Sequence, residues 1–138
     1  MHTQLFHSLP QDAVKIRETV FVQEQSFQNE FDAIDSYATH IVLYDGDCPV
    51  GTCRFYADDA GKATLIGRIA VIKSHRGQHL GATLLGAAEA AIRSNGGALA
   101  QLHAQCRAQA FYEKQGYQAY GDIALDEGCP HIWMKKLL

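Results

Sequence analysis

Between a β-branched stretch, Gly67-Arg-Ile-Ala-Val-Ile72, and an apolar-striped segment opening with Ala82-Thr-Leu-Leu85 stands the turn Arg76-Gly-Gln-His-Leu-Gly81. A strand that feeds a helix through such a turn leaves several backbone N–H groups without helical partners, beside the positive end of the helix dipole. That arrangement suits a phosphate or pyrophosphate. Arg76 adds a guanidinium able to fork onto phosphate oxygens. A Walker A loop needs Lys-Ser or Lys-Thr after its last glycine, where this chain has Ala82-Thr83. A dinucleotide fingerprint needs Gly-x-Gly-x-x-Gly, whereas Gln78-His79-Leu80 separates Gly77 from Gly81. On spacing alone two readings stay open: glycines that serve only the turn, and a phosphate-bearing cofactor of another kind.

Further along the chain, Glu24, His40, His103 and His131 are of types that accept a proton near neutral pH when suitably placed. His103 and Gln105 alternate on one predicted strand, so they share a face and can orient a substrate together. The acidic run Glu30, Asp32, Asp35 offers attraction for a cationic amine. No metal is expected, because the histidines form no His-x-x-x-His pair on a predicted helix. Cys48, Cys53, Cys106 and Cys129 lack the paired Cys-x-x-Cys spacing of a zinc site and read as buried or half-buried packing residues.

The elements that must position these groups follow from periodicity. Thr3 to Ser8 reads as a strand, and Pro10-Gln-Asp opens a helix carrying Val14, Arg17 and Phe21. Glu24 to Tyr37 is acidic and irregular. Thr39 to Tyr44 and Val50 to Tyr56 read as a hairpin around Asp45-Gly-Asp47, and Asp58-Asp-Ala-Gly61 turns into a strand over Ala63 to Ile72. Leu80, Leu84, Ala88 and Ile92, widened by Leu85 and Ala91, form one helical stripe that Asn95-Gly-Gly97 ends. Leu99 to His103 is a strand, Arg107 to Gln115 a short helix stopped by Gly116, and Tyr117 to Tyr120 and His131 to Leu138 are the last strands. The order β-α-β-β-β-α-β-α-β-β predicts an α+β fold in three layers, a mixed and largely antiparallel sheet flanked by helices.

With 138 residues, 47% of them hydrophobic and 20% charged, the chain reads as one globular domain over residues 1–138. A net charge of −3 gives no electrostatic footprint for nucleic acid. No apolar run reaches membrane-spanning length and the N-terminus lacks the blocks of a signal peptide, so the expectation is a cytoplasmic protein without membrane attachment. Apolar Ile132-Trp-Met134 and Leu137-Leu138 either close the core or support a homodimer.

Two blocks carry a family likeness. Arg76-Gly-Gln-His-Leu-Gly81 resembles the Arg/Gln-x-x-Gly-x-Gly/Ala turn of the GNAT N-acetyltransferases, and Ala108-Gln-Ala-Phe-Tyr-Glu-Lys-Gln-Gly-Tyr117 resembles their later Ala-x-x-Phe-Tyr-x-x-x-Gly-Phe/Tyr element. Val20-Phe-Val-Gln-Glu-Gln25, the acidic run, His40, His103-Ala-Gln105 and Glu127-Gly-Cys-Pro-His131 are similar to the bacterial YjcF/ElaA-type branch. His79 stands where the family usually has glycine, and its Cβ restricts the approach of a pyrophosphate.

The resemblance implies acetyl-CoA as co-substrate, with transfer of its acetyl group to a primary amine of a small molecule or a protein. It implies that Arg76, Gly77, Gln78, His79, Leu80, Gly81 and Ala82 wrap the pyrophosphate and that Ile69, Ala70 and Val71 pair with the pantetheine arm. Within that strand, the Val71 N–H is the candidate to polarise the thioester carbonyl. Tyr112 is the implied acid toward the leaving thiolate and Glu24, at the end of the first helix, the candidate base. His103 and Gln105 are the candidate acceptor-binding residues. The alternative is a non-catalytic CoA-binding sensor or regulatory module of the same fold.

Overall fold

The computed structural model describes residues 1–138. Strand β1 (His2–Phe6) leads to helix α1 (Gln11–Arg17), which continues as a π-helical turn over Glu18–Glu24. The Pro10 carbonyl starts α1 by accepting the N–H groups of Ala13 and Val14. Then come β2 (Thr39–Asp45), β3 (Cys48–Ala57), β4 (Thr64–Val71), α2 (Leu80–Ser94), β5 (Leu99–Gln105), α3 (Gln109–Lys114), β6 (Gln118–Asp126) and β7 (Cys129–Leu137). The sheet has seven strands in the order β1-β2-β3-β4-β5-β7-β6, antiparallel throughout except for β4 beside β5. The mixed, largely antiparallel sheet flanked by helices is thus the fold that the element order predicts.

Two apolar clusters cover the two faces of the sheet. Ala13, Ile16, Val20 and Phe21 of α1 and its π turn pack on Val42 and Ala70. On the other face Leu80, Leu84, Leu85, Ala88 and Ile92 of α2 pack on Ile41, Leu43, Val50, Ile66 and Leu102. β2 shows why its sequence is apolar without alternation: Ile41 and Leu43 serve one cluster and Val42 between them serves the other. Helix α2 ends on left-handed Gly96 (φ 82°), with the Gly97 N–H donating to the Ile92 carbonyl at 2.9 Å.

Several elements differ from the sequence expectation for definite reasons. The helix predicted to run through Phe21 is α-helical only to Arg17 and buries Ala13, Ile16 and Arg17, with Val20 and Phe21 buried from the π turn and Val14 left half-buried. The Glu24-to-Tyr37 stretch contains a 3-10 turn, Ala33–Ser36, closed by a reciprocal Asp32–Asp35 capping box. β6 runs on to Asp126, well past Tyr120, and turns into β7 through Glu127-Gly128, both at positive φ. It forms the sheet edge and is exposed along most of its length, so no apolar alternation marks it. β5 continues to Gln105, and Cys48 is exposed beside the first hairpin turn rather than buried. Ile132, Met134 and Leu138 close the core, while Leu137 stays exposed.

Candidate active site

Strands β4 and β5 pair only at Thr64–Ala100 and Leu65–Gln101 and then part, although β4 runs to Val71 and β5 to Gln105. Just past that point β4 carries a bulge. Arg54 pairs with Gly67 and Thr52 with Ala70, so one extra residue is inserted opposite Cys53. Arg68 takes the left-handed conformation there (φ 53°). The insertion reverses the side-chain parity: Ile66 faces the α2 cluster and Ala70 the α1 cluster.

Parting and bulge together open a cavity of about 360 Å³. Ile66, Gly67, Arg68 and Ile69 come from β4, Leu102, His103 and Gln105 from β5, Tyr112 from α3, His131 from β7, and Phe21, Gln25, Phe27, Asn29 and Glu30 from the π turn and the segment after it. That segment is pinned on every side. Gln28 and Asn29 donate their backbone N–H groups to the two Glu127 carboxylate oxygens at 2.8 and 3.2 Å, and Gln105 Nε2 donates to Gln25 Oε1 at 2.9 Å.

A buried ion network backs the cavity. Arg17 donates to Glu30 Oε2 at 2.8 Å and to Asp35 at 2.7 and 3.1 Å, and Arg54 donates to Asp32 and Asp35 at 2.6 and 2.8 Å. Arg68 reaches Glu30 Oε2 at 3.0 Å. Burial pushes the Asp35 carboxyl up, but Arg17 and Arg54 outweigh it and hold it at about 2. Burial dominates at Glu30 and raises its pKa despite Arg68 and Arg17. The acidic run is therefore a neutralised structural core, not a free acidic loop for attracting amines.

Of the sequence candidates, the cavity brings together Tyr112, His103, His131, Gln105 and Ile69. The Tyr112 hydroxyl makes no protein hydrogen bond, and burial raises its pKa, so it keeps its proton across the neutral range. The His103 ring stacks on Trp133 at 4.6 Å and lies 5.0 Å from the His131 ring. Its Nε2 is buried without a partner, and burial lowers its pKa, with His131 adding to the effect. Gln105 spends both side-chain ends, on Gln25 and on the Arg107 Nε–H (2.7 Å). His131 donates Nδ1–H to the Cys129 carbonyl at 2.7 Å, which leaves Nε2 without a protein partner in a residue that lines the cavity. His40 is buried away from this space, its ring on the Asp35 carbonyl.

Glu24 lies outside the cavity lining. Arg76 donates from both terminal nitrogens to the Glu24 oxygens at 2.8 and 2.9 Å, and that bonding lowers the Glu24 pKa. A carboxylate so engaged is a weak proton acceptor, and the fork expected to meet phosphate is spent on it. The third Arg76 nitrogen, Nε, donates to the Val71 carbonyl at 2.9 Å. The Ile72 N–H bonds to Val50 on β3, so strand alternation turns the main-chain groups of Val71 the other way, toward the cleft.

The turn itself fits a phosphate. Gly77 (φ 82°) and His79 (φ 60°) both take left-handed backbone, and none of the N–H groups from Gly77 through Ala82 meets a protein acceptor. His79 thus adopts the conformation that glycine takes in such turns. Gly81 packs toward Phe111: a Cβ there would lie 3.3 Å from Phe111 Cζ, so the turn and the Phe111-Tyr112 pair meet at this position. Ala70 is buried under α1 and presents only backbone.

Sequence reasoning missed Arg68, Arg107, Asp126 and Glu127, all in the cavity wall. Gly67 inside a strand pattern was the signal for the bulge that places Arg68, and Glu127-Gly128 the signal for the hairpin that places Asp126 and Glu127.

Residues 7–138 match the family model of the acetyltransferase (GNAT) domain. The chain is similar to the uncharacterized N-acetyltransferase YjcF of Bacillus subtilis, 40% identical over 129 residues that cover 91% of this chain and 90% of YjcF. Among solved structures it is similar to an acyl-CoA N-acyltransferase from Pseudomonas aeruginosa (26% identity, TM-score 0.83, 98% of each chain covered). It is likewise similar to Escherichia coli ElaA (26% identity, TM-score 0.85, 98% of each chain covered).

Proposed function

The chain belongs to the GNAT acetyltransferase family, and from that membership we propose that it moves the acetyl group of acetyl-CoA onto a primary amine by direct attack on the thioester. One observation carries the reading: Tyr112, its hydroxyl without a protein partner, and His131, its Nε2 without one, line the same cavity where β4 and β5 part. Acetyl-CoA supplies an acetyl group already activated as a thioester. The N–H groups of Gly77 through Ala82 and the α2 dipole hold its pyrophosphate. Val71, its N–H turned to the cleft, stabilises the negative charge that builds on the thioester oxygen. His131 Nε2 takes a proton from the amine as the N–C bond forms. The C–S bond breaks, and the Tyr112 hydroxyl gives its proton to the departing sulfur.

In this reading Glu24 is a positioning residue rather than the base. Its fork on Arg76, with Arg76 on Val71, fixes the entry of the phosphate turn against the end of β4. His103, kept neutral by burial, props the His131 ring. Gln105 positions Gln25 and Arg107.

Calorimetric titration with acetyl-CoA, and with ATP for comparison, tests the cofactor assignment. Binding of acetyl-CoA without ATP, followed by thiol release on adding an amine, is the expected result. Equal binding of both nucleotides, or of neither, would overturn it.

A further inference from the structure

We propose that the acceptor carries a carboxylate of its own: the cavity takes a small apolar amino acid, with Arg107 reading its carboxylate. The inference rests on the acetyltransferase reading of the same site and names its substrate class.

Most of the charge in the wall is already spent. Glu30 is held by Arg17 and Arg68, and both oxygens of Glu127 are taken by the backbone N–H groups of Gln28 and Asn29. Three charged groups keep free valence, Arg68 only at Nη1 because its Nε and Nη2 face Glu30 and Asp32. Arg107 uses only Nε, on Gln105, so its two terminal guanidinium nitrogens have no protein acceptor, and Asp126 has no protein partner. A free guanidinium fork matches a carboxylate with two parallel hydrogen bonds. A bare alkylamine leaves that fork unmatched, and a dicationic amine brings a second positive charge toward Arg107 and Arg68.

The placement of the fork fits an amine and a carboxylate on one small molecule. Gln105, which anchors Arg107 at 2.7 Å, pairs directly with His131 across the β5–β7 ladder. The fork and the lone pair that takes the amine proton therefore stand on the same lip of the cleft. Asp126 supplies the one unspent carboxylate for the incoming ammonium. Phe21, Phe27, Ile66 and Leu102 supply an apolar wall for a side chain, and a volume of about 360 Å³ sits at the small end for ligand pockets. The chemistry stays that of the transfer: the ammonium first sheds one proton to solvent, the free amino nitrogen then gains the acetyl carbon and loses a second proton to His131, and the sulfur leaves with the Tyr112 proton.

The test is acetyl-CoA thiol release with L-leucine, L-leucinamide and isopentylamine, which share the carbon frame but not the carboxylate. Wild type, Arg107→Ala and Arg107→Lys are compared, with acetyl-CoA binding followed by calorimetry. L-Leucine is expected to exceed both carboxylate-free amines in kcat/KM by about 10- to 100-fold, the range of a charged hydrogen-bonded pair. That preference is expected to collapse in Arg107→Ala and to return in part in Arg107→Lys, with acetyl-CoA affinity unchanged. Carboxylate-free amines equal to or better than L-leucine in the wild type would overturn the proposal. So would unchanged preference in Arg107→Ala, or acetyl-CoA binding with no turnover of any of the three. Failure to bind acetyl-CoA would overturn the acetyltransferase reading along with it.

Discussion

Two residues decide how the chemistry is divided. Glu24 and His131 are both of a type that takes a proton, and the sequence favours Glu24 for its place at the end of the first helix. Contacts separate them: Glu24 is forked by Arg76 outside the cavity lining, while His131 lines the cavity with its Nδ1 on the Cys129 carbonyl and its Nε2 without a protein partner. Glu24→Gln is therefore expected to raise the KM for acetyl-CoA while leaving kcat within about threefold, whereas loss of a general base costs about 100-fold or more. Steady-state kinetics at saturating amine read the difference. His79 makes a second residue-scale case. Its left-handed backbone costs a non-glycine residue about 1 kcal/mol. His79→Gly is expected to raise stability by up to about that amount in urea unfolding and to leave acetyl-CoA binding intact. A marked loss of affinity would show that the imidazole itself contacts the phosphate.

At the scale of elements, the two signature blocks were legible because each is local. The turn before α2 and the Phe111-Tyr112 pair of α3 announce themselves within a few residues, and Gly81 and Phe111 even touch. The ion network was illegible for the opposite reason. Arg17, Glu30, Asp35 and Arg54 are brought together over separations of 13 to 19 residues, and a buried arginine looks in sequence like any solvated helix residue. The β4 bulge was half legible, since Gly67 flagged an irregularity without saying which strand face it would reverse. Because the network ties α1 and the acidic segment to β3 and β4, Arg17→Ala leaves Glu30 and Asp35 under-compensated. A loss of roughly 3–5 kcal/mol is expected, measured by denaturant unfolding. Its pH dependence has a definite sign at Asp35. The pKa is depressed from 3.8 to about 2, so the stability it adds is fully present above 3.8 and is lost as pH falls toward 2. Glu30, raised by burial, acts in the opposite sense, binding its proton more readily in the folded state as pH falls through its range.

At the scale of the whole molecule, the two apolar clusters sit on opposite faces of one sheet that runs from β1 to β6. We expect residues 1–138 to unfold in one cooperative transition, seen as coincident far-ultraviolet and tryptophan signals. Saturating acetyl-CoA at about 100 times its Kd should raise stability by about 2.7 kcal/mol. The same sheet, by parting between β4 and β5, brings the phosphate turn, the Val71 edge, Tyr112 and His131 to one end of the molecule. That convergence is the basis for reading the chain as a working transferase. The most direct test is product analysis by mass spectrometry after incubation with acetyl-CoA and a primary-amine panel, comparing wild type with Tyr112→Phe. The account predicts an N-acetylated amine from the wild type and a rate at least about 100-fold lower from Tyr112→Phe, with acetyl-CoA binding retained in both. Tight acetyl-CoA binding with no acetylated amine from the wild type, or full activity in Tyr112→Phe, would contradict it.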